Sequence, residues 1–186
     1  IGTPPPCRDM HIANLNLIPE AEIVALYNRG ERNLSEAKKI IPGSPTVCKS
    51  WEALIDLPDV DAALITLPPH LNQDIAVRAL NAGKHVFCEK PLSNTLEGCR
   101  AIVKAAEQSG KVLQVSLQLR YSDLYNKIRE IIDRGEIGEP QMAWFRSFSA
   151  VSWAYRPNTW ITDPVLSGGV MNSWGVHAFV ILNDLA

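Results

Sequence analysis

The sequence predicts an α/β fold: a doubly wound parallel sheet over residues 1–120, then the start of a second domain over residues 121–186. Three observations carry this. Apolar runs such as Ala62-Ala63-Leu64-Ile65 lack polar alternation, as strands buried on both faces do. Such runs alternate with helical stripes, the pattern of a parallel sheet with right-handed crossovers. After Gly138 the rhythm changes to a long aromatic-rich run, residues 141–151 with Trp144, Phe145 and Phe148, which reads as the first strand of the second domain.

The elements follow in order. Residues 2–17 read as a glycine turn and first helix, and residues 22–27 as a β run. Residues 33–41 are helical until Pro42-Gly43 stops them. Residues 51–57 form a short helix, 62–67 a strand and 70–81 a helix. His85, Val86, Phe87 and Cys88 form the next strand, and Pro91, which has no amide hydrogen for a ladder, ends it. Asn94 is placed to cap the following helix, with Glu97 in capping-box position. Leu96, Cys99, Val103 and Ala106 make that helix's apolar stripe. Residues 112–117 are a strand. Leu124, Tyr125, Ile128, Ile131 and Ile132 mark a helix ended by Gly135, and residues 165–186 read as a helix entering the second domain.

Composition narrows the function. With 46% hydrophobic residues the chain can build a proper core, and a net charge of −2 gives no electrostatic case for nucleic acid or an anionic membrane. No apolar run approaches the length of a membrane span, and the first residues lack the pattern of a signal peptide. Cys7, Cys48, Cys88 and Cys99 show no Cys-x-x-Cys spacing, so no metal site is expected. Reduced thiols and a cytoplasmic location fit this usage.

The chemistry concentrates at Glu89-Lys90-Pro91. A lysine at the carboxyl end of a strand lies on the edge where open α/β sheets bind ligands. Desolvated there, it can serve as acid or base. The plain alternative is a strand ending in solvated charge. The surrounding residues distinguish the two. Ala82 to Leu92 read Ala-Gly-Lys-His-Val-Phe-Cys-Glu-Lys-Pro-Leu, and Ser167-Gly168-Gly169 is followed by Gly175-Val176-His177. Together they resemble the Gfo/Idh/MocA family of nicotinamide-dependent oxidoreductases.

That resemblance implies a Rossmann-type sheet followed by an α+β domain with an open antiparallel sheet. On it the chain reads as partial: only Ile1 precedes the glycine turn, and the second domain has only its beginning. The resemblance implies Lys90 as acid/base, supported by Glu89, with His177 as second partner and a Lys90-Pro91 bond that is cis. Without the family, His177 on an apolar helix reads as a core histidine. Gly2, Arg8, Asn28, Arg29, Leu67, Pro68, Asn72, Glu89, Lys90 and Gln118 are the residues implied at the cofactor. Arg8 is a candidate phosphate ligand or an ordinary first-turn residue. Cys7 is a spacer or, beside a helix start, a thiol of lowered pKa.

The sequence also departs from the family pattern. Pro4 stands at the second glycine, Ser173 at an aspartate, Ile161 at an arginine, Val180 at a further aspartate and Asn72 at a frequent histidine. Asn28 stands where an aspartate often selects NAD. It does not repel a 2′-phosphate, and Arg29 and Arg32 either attract one or are solvated loop charges. NADP is favoured over NAD on this ground. His11, His70 and His85 have no partner in the sequence and read as surface or packing residues. The function implied is hydride transfer between nicotinamide and a sugar, cyclitol or related polyol. NAD-assisted glycoside cleavage and a non-catalytic dinucleotide-binding regulator are the alternatives. The family further implies a homo-oligomer for the full-length protein.

Overall fold

A computed structural model of the chain describes residues 1–5, 7–147 and 159–185. A π-turn, Cys7–Ile12, runs into the short α1, Ala13–Leu15. Then come β1 (Ala25–Leu26), α2 (Glu31–Lys38), β2 (Thr46–Val47) and α3 (Trp51–Ile55). The second half of the sheet is β3 (Ala62–Ile65), α4 (Asn72–Asn81), β4 (His85–Glu89), α5 (Leu96–Ser109) and β5 (Leu113–Ser116). β1 pairs with β2, and β3–β4–β5 form a second ladder, all parallel.

The two ladders meet at the first residues of the chain. The Ile1 amino group donates to Leu64 O at 2.7 Å, Thr66 N–H donates to Ile1 O at 3.0 Å, and Gly2 N–H donates to Tyr27 O at 2.8 Å. Gly2 has φ +86°, and a Cβ there would lie 2.8 Å from Thr66 O and 2.9 Å from Leu67 Cδ2. Only glycine fits so close a crossing in that conformation. The main core, with Ile55, Ile65, Leu80, Val86 and Ile102 fully buried, lies between β3–β4 and helices α3–α5. A smaller cluster of Cys7, Ile12, Leu26, Ala37 and Ile41 fastens the π-turn to β1 and α2.

Several expectations are corrected here. The β run at 22–27 contracts to two residues, and the equally short β2 carries no sequence signal of its own. Thr95, not Asn94, caps α5: its hydroxyl accepts from Gly98 N–H at 3.0 Å, while Asn94 Nδ2 donates to Val165 O at 2.8 Å. The buried stripe of α5 is Gly98, Ile102 and Ala105, and Leu96 and Val103 are exposed. The roll follows from Gly98, where a Cβ would collide with the Ser93 side chain, so this face of the helix lies on the preceding loop.

Beyond β5, α6 (Asp123–Asp133) buries Tyr125 alone, with Leu124 and Ile128 exposed. Polar ties hold it: the Tyr125 hydroxyl and the Arg129 guanidinium both donate to Asp184 Oδ2. Residues 141–147 join neither sheet, and the remainder of the expected aromatic strand, with Phe148, lies outside the described residues. The single helix expected over 165–186 is three: α7 (Pro164–Ser167), α8 (Gly169–Ser173) and α9 (Gly175–Leu185). Gly168, at φ +75°, makes the first break. Among the described residues no single helix is long and apolar enough to cross a membrane; α7–α9 pass by length and composition only as a bent pair.

Candidate active site

The carboxyl ends of β1, β3, β4 and β5 open on one edge, and the loops there carry the residues singled out in the sequence. β4 aims Val86 and Cys88 into the core and hands the chain to Lys90-Pro91, whose peptide bond is cis. Lys90 Nζ donates to Ser173 O at 2.9 Å and lies 5.2 Å from the centre of the Trp174 ring. The end of α8 and the residue after it therefore supply both of these contacts to the ammonium. Burial pulls the Lys90 pKa below the ordinary lysine value, while the Glu89 charge works the other way.

His177, on the first turn of α9, is 9% exposed, and its Nδ1 has no hydrogen-bond partner among the described atoms. Burial and the Lys90 charge both lower its pKa, and Glu89 opposes them. Ser173, where the family pattern has aspartate, is buried and directs its hydroxyl to Ser167 O at 3.5 Å. Asn72 opens α4, fully buried; its Nδ2 donates to Pro91 O at 3.3 Å and its Oδ1 is unpartnered. Asn72 thus braces the loop that carries Lys90.

The loop between β4 and α5 is pinned by amides. Asn172 Nδ2 donates to Ser93 O at 3.0 Å and to Ser167 O at 3.2 Å. Gly168 lies against Asn94 O, 2.9 Å from where its Cβ would stand. The Ser-Gly-Gly signature is thereby explained as a docking joint between α7–α8 and the chain just past Lys90.

At the glycine turn the backbone donors are taken. Gly2 N–H binds Tyr27 O, Thr3 N–H binds Asn28 Oδ1 at 3.0 Å, and Arg8 N–H binds Pro4 O at 3.2 Å. Pro4, Pro5 and Pro6 have no amide hydrogen. A dinucleotide's phosphates would normally meet several such amides. What the chain offers instead is Arg8, half-buried, with Nε unpartnered and one long ion pair, 3.9 Å, to Glu36. These residues fit a nicotinamide dinucleotide whose phosphates are held by a guanidinium. Asn28 spends both amide ends in the turn, its Nδ2 donating to Gly30 O at 2.7 Å. Leu67 and Pro68 follow β3 at the same edge, and Leu67 packs over Gly2. Arg29 and Gln118 are exposed at the ends of β1 and β5 and are not drawn into the cluster.

Two readings change. Burial pushes the Cys7 thiol up, so its thiolate is disfavoured, and all four cysteines are free. His11 is neither a surface nor a packing residue: its Nε2 donates to Glu89 Oε1 at 2.6 Å. His85 also has a partner, its Nδ1 accepting from Val112 N–H at 3.0 Å. Trp174 and His11 are the site residues that sequence reasoning missed. The turn geometry that aims His11 at Glu89 has no residue signature.

Comparison with known proteins identifies the family and the fold. The model of an oxidoreductase family with an NAD-binding Rossmann fold matches residues 1–117, and that of the Gfo/Idh/MocA C-terminal domain matches residues 125–186. Inositol 2-dehydrogenase of Salmonella typhimurium is 42% identical over 101 residues, 54% of this chain and 30% of its own length. The 1,5-anhydro-D-fructose reductase of Ensifer adhaerens is 39% identical over 143 residues, 74% of this chain and 42% of its own length. The crystal structure of an oxidoreductase from Thermotoga maritima superposes with a TM-score of 0.84 at 30% identity, covering 98% of this chain and 57% of that one. The chain thus spans less than half the length of these two curated relatives. On the match to both family domains, the chain belongs to the Gfo/Idh/MocA family of oxidoreductases.

Proposed function

We propose that the protein oxidises a CH–OH group of a sugar, cyclitol or related polyol, or reduces the corresponding carbonyl, with a nicotinamide dinucleotide. The observation that carries this is the half-buried Lys90, its ammonium set between Ser173 O and Trp174 beside the unpartnered His177 Nδ1. When bound, the nicotinamide supplies the two-electron acceptor or donor. Lys90 Nζ takes the hydroxyl proton in the oxidation and returns it in the reduction. His177 Nδ1 holds a substrate hydroxyl at that nitrogen, and Trp174 excludes water from the lysine. The activities for which these relatives are named, on inositol and on 1,5-anhydro-D-fructose, support a polyhydroxylated substrate. Turnover of a panel of polyols with NAD+ and NADP+ tests the reading, and no turnover of any of them would reject it.

Oxidation requires neutral Lys90, so its rate is expected to rise with pH through a midpoint below the ordinary lysine value, the direction burial sets. A flat profile across that range would remove Lys90 as the base.

Arg8 is proposed as the phosphate ligand. Arg8→Ala is expected to weaken NADH and NADPH binding by about ten- to a hundredfold, the range for a lost hydrogen bond to a charged group. It should also flatten the salt dependence of the affinity, measured by fluorescence titration. Unchanged affinity would return Arg8 to the role of a first-turn residue. NADPH is proposed to bind at least as tightly as NADH, because Asn28 presents no carboxylate to a 2′-phosphate. Asn28→Asp would place a carboxylate against Gly30 O and shift preference toward NADH. The domain division near residue 120, homo-oligomerisation of the full-length protein and a cytoplasmic location are proposed with the family reading. Sedimentation and cell fractionation check the last two.

A further inference from the structure

Glu89 and Lys90 are neighbours in sequence, half-buried and of opposite charge, yet among the described residues they form no ion pair. Both Glu89 oxygens are occupied elsewhere. Oε1 accepts from His11 Nε2 at 2.6 Å, and Oε2 accepts from the backbone N–H of Lys90 at 3.0 Å. The Ser116 hydroxyl, at the end of β5, also favours the charged carboxylate. Lys90 Nζ, released from that carboxylate, reaches across to Ser173 O.

His11 is held as firmly as what it holds. It sits in the π-turn Cys7–Ile12, which carries more residues per turn than an α-helix and so changes the face from which a side chain leaves. Its ring meets Phe87 edge-on, centroids 5.5 Å apart at 69°, and its side chain is 16% exposed. Phe87 and Glu89 lie on the same face of β4, so one strand face carries both the ring's support and its hydrogen-bond acceptor.

We propose that His11 is a positioning residue: it holds the Glu89 carboxylate away from the Lys90 ammonium, which leaves Lys90 free to exchange its proton with substrate. The inference rests on the proposed role of Lys90. The titratable groups that face Glu89 are His11, Lys90, Cys7, Cys88 and His177, and those that face Lys90 are Glu89 and His177. Among the described residues only His11 both reaches the Glu89 oxygens by a side-chain hydrogen bond and belongs to the π-turn that follows the glycine turn. The lysine's readiness is thereby tied to the turn that meets the cofactor.

The sign of the effect follows. Without the His11 donor the carboxylate is free to pair with the ammonium, and an opposite charge at close range favours protonated lysine. His11→Ala should therefore raise the Lys90 titration midpoint by about one unit, read from side-chain nitrogen shifts in lysine-labelled protein. Oxidation of myo-inositol with NADP+, at a pH below that midpoint, should fall about tenfold, and the deficit should close as pH rises. NADPH affinity should not change. His11→Gln keeps an N–H donor for Glu89 and should restore both the titration and the pH profile. If His11→Ala does not fold, His11→Phe keeps the ring on Phe87, removes the donor and carries the same expectations. A titration and pH profile coincident with wild type would overturn the proposal, as would a His11→Gln variant as impaired as His11→Ala. Lys90→Ala run alongside separates the two levels. Wild-type turnover there overturns the role of Lys90 and this inference with it, whereas turnover that needs Lys90 but ignores His11 overturns this inference alone.

Discussion

Lys90→Ala is expected to lower turnover by about 10²–10⁴-fold, the usual contribution of a positioned general base. The structure says why the loss should fall on turnover and not on cofactor binding. The Lys90 side chain faces Ser173 O and Trp174, at the end of α8. Among the described residues the glycine turn and Arg8 make no hydrogen bond to the Lys90 side chain. Lys90→Ala should therefore keep NADH and NADPH affinity near wild type. Lys90→Arg should be nearly as inactive, because a guanidinium does not give up its proton at working pH. Steady-state rates paired with fluorescence titrations decide the matter. Near wild-type turnover would leave the lysine a packing role, and loss of cofactor affinity in step with turnover would place it at the dinucleotide.

Gly168→Val is the second large effect, and it acts on the joint. At φ +75° a β-branched residue is strained, and its Cβ would press on Asn94 O and the Asn172 amide. Strain of this kind costs about 1–3 kcal/mol before the collision is counted. Relief requires α7–α8 to lift from the loop at 93–94, which breaks the Asn172–Ser93 bond and carries Ser173 O away from Lys90. The expected result is a lower midpoint in urea together with a turnover loss larger than the unfolded fraction explains. Gly169→Ala is the control: φ is also positive there, but no atom lies within 4 Å of the added Cβ. Equal effects at both positions would show that backbone strain, not the joint, is responsible.

Much of this architecture was legible because the elements speak through period and punctuation. Residues 62–65 and 85–89 are strands bounded by turn residues, and Lys90-Pro91 announces its own turn. Lys90, Glu89 and His177 were legible through the family signature, and the structure brings them within electrostatic reach of each other. The errors have physical sources. Asn94 has the chemistry of a cap, but a distant carbonyl, Val165 O, claims its amide. The stripe of α5 was misplaced because Gly98 contributes no hydrophobicity to a pattern, yet its missing side chain sets which face is buried. His11 was illegible because a π-turn shifts side-chain direction without any residue that marks it. The turn bonds of Asn28 to Thr3 and Gly30 were illegible for a similar reason, since its residue type does not announce them.

The Lys90–Ser173 bond joins the region matched by the NAD-binding family model to the region matched by the C-terminal one. Thermodynamic reciprocity then applies. A charged ammonium grips the carbonyl harder than a neutral amine, so docking of α8 favours the proton, and losing the proton loosens α8 by the same free energy. Under the proposed role of Lys90, each proton transfer is also a mechanical event at the joint. Amide hydrogen exchange in α8 should quicken with pH through the lysine's titration by more than the intrinsic rate, and in Lys90→Ala that excess should vanish. An α8 that opens equally at every pH would mean that the lysine and the joint, though in contact, keep separate accounts of the proton.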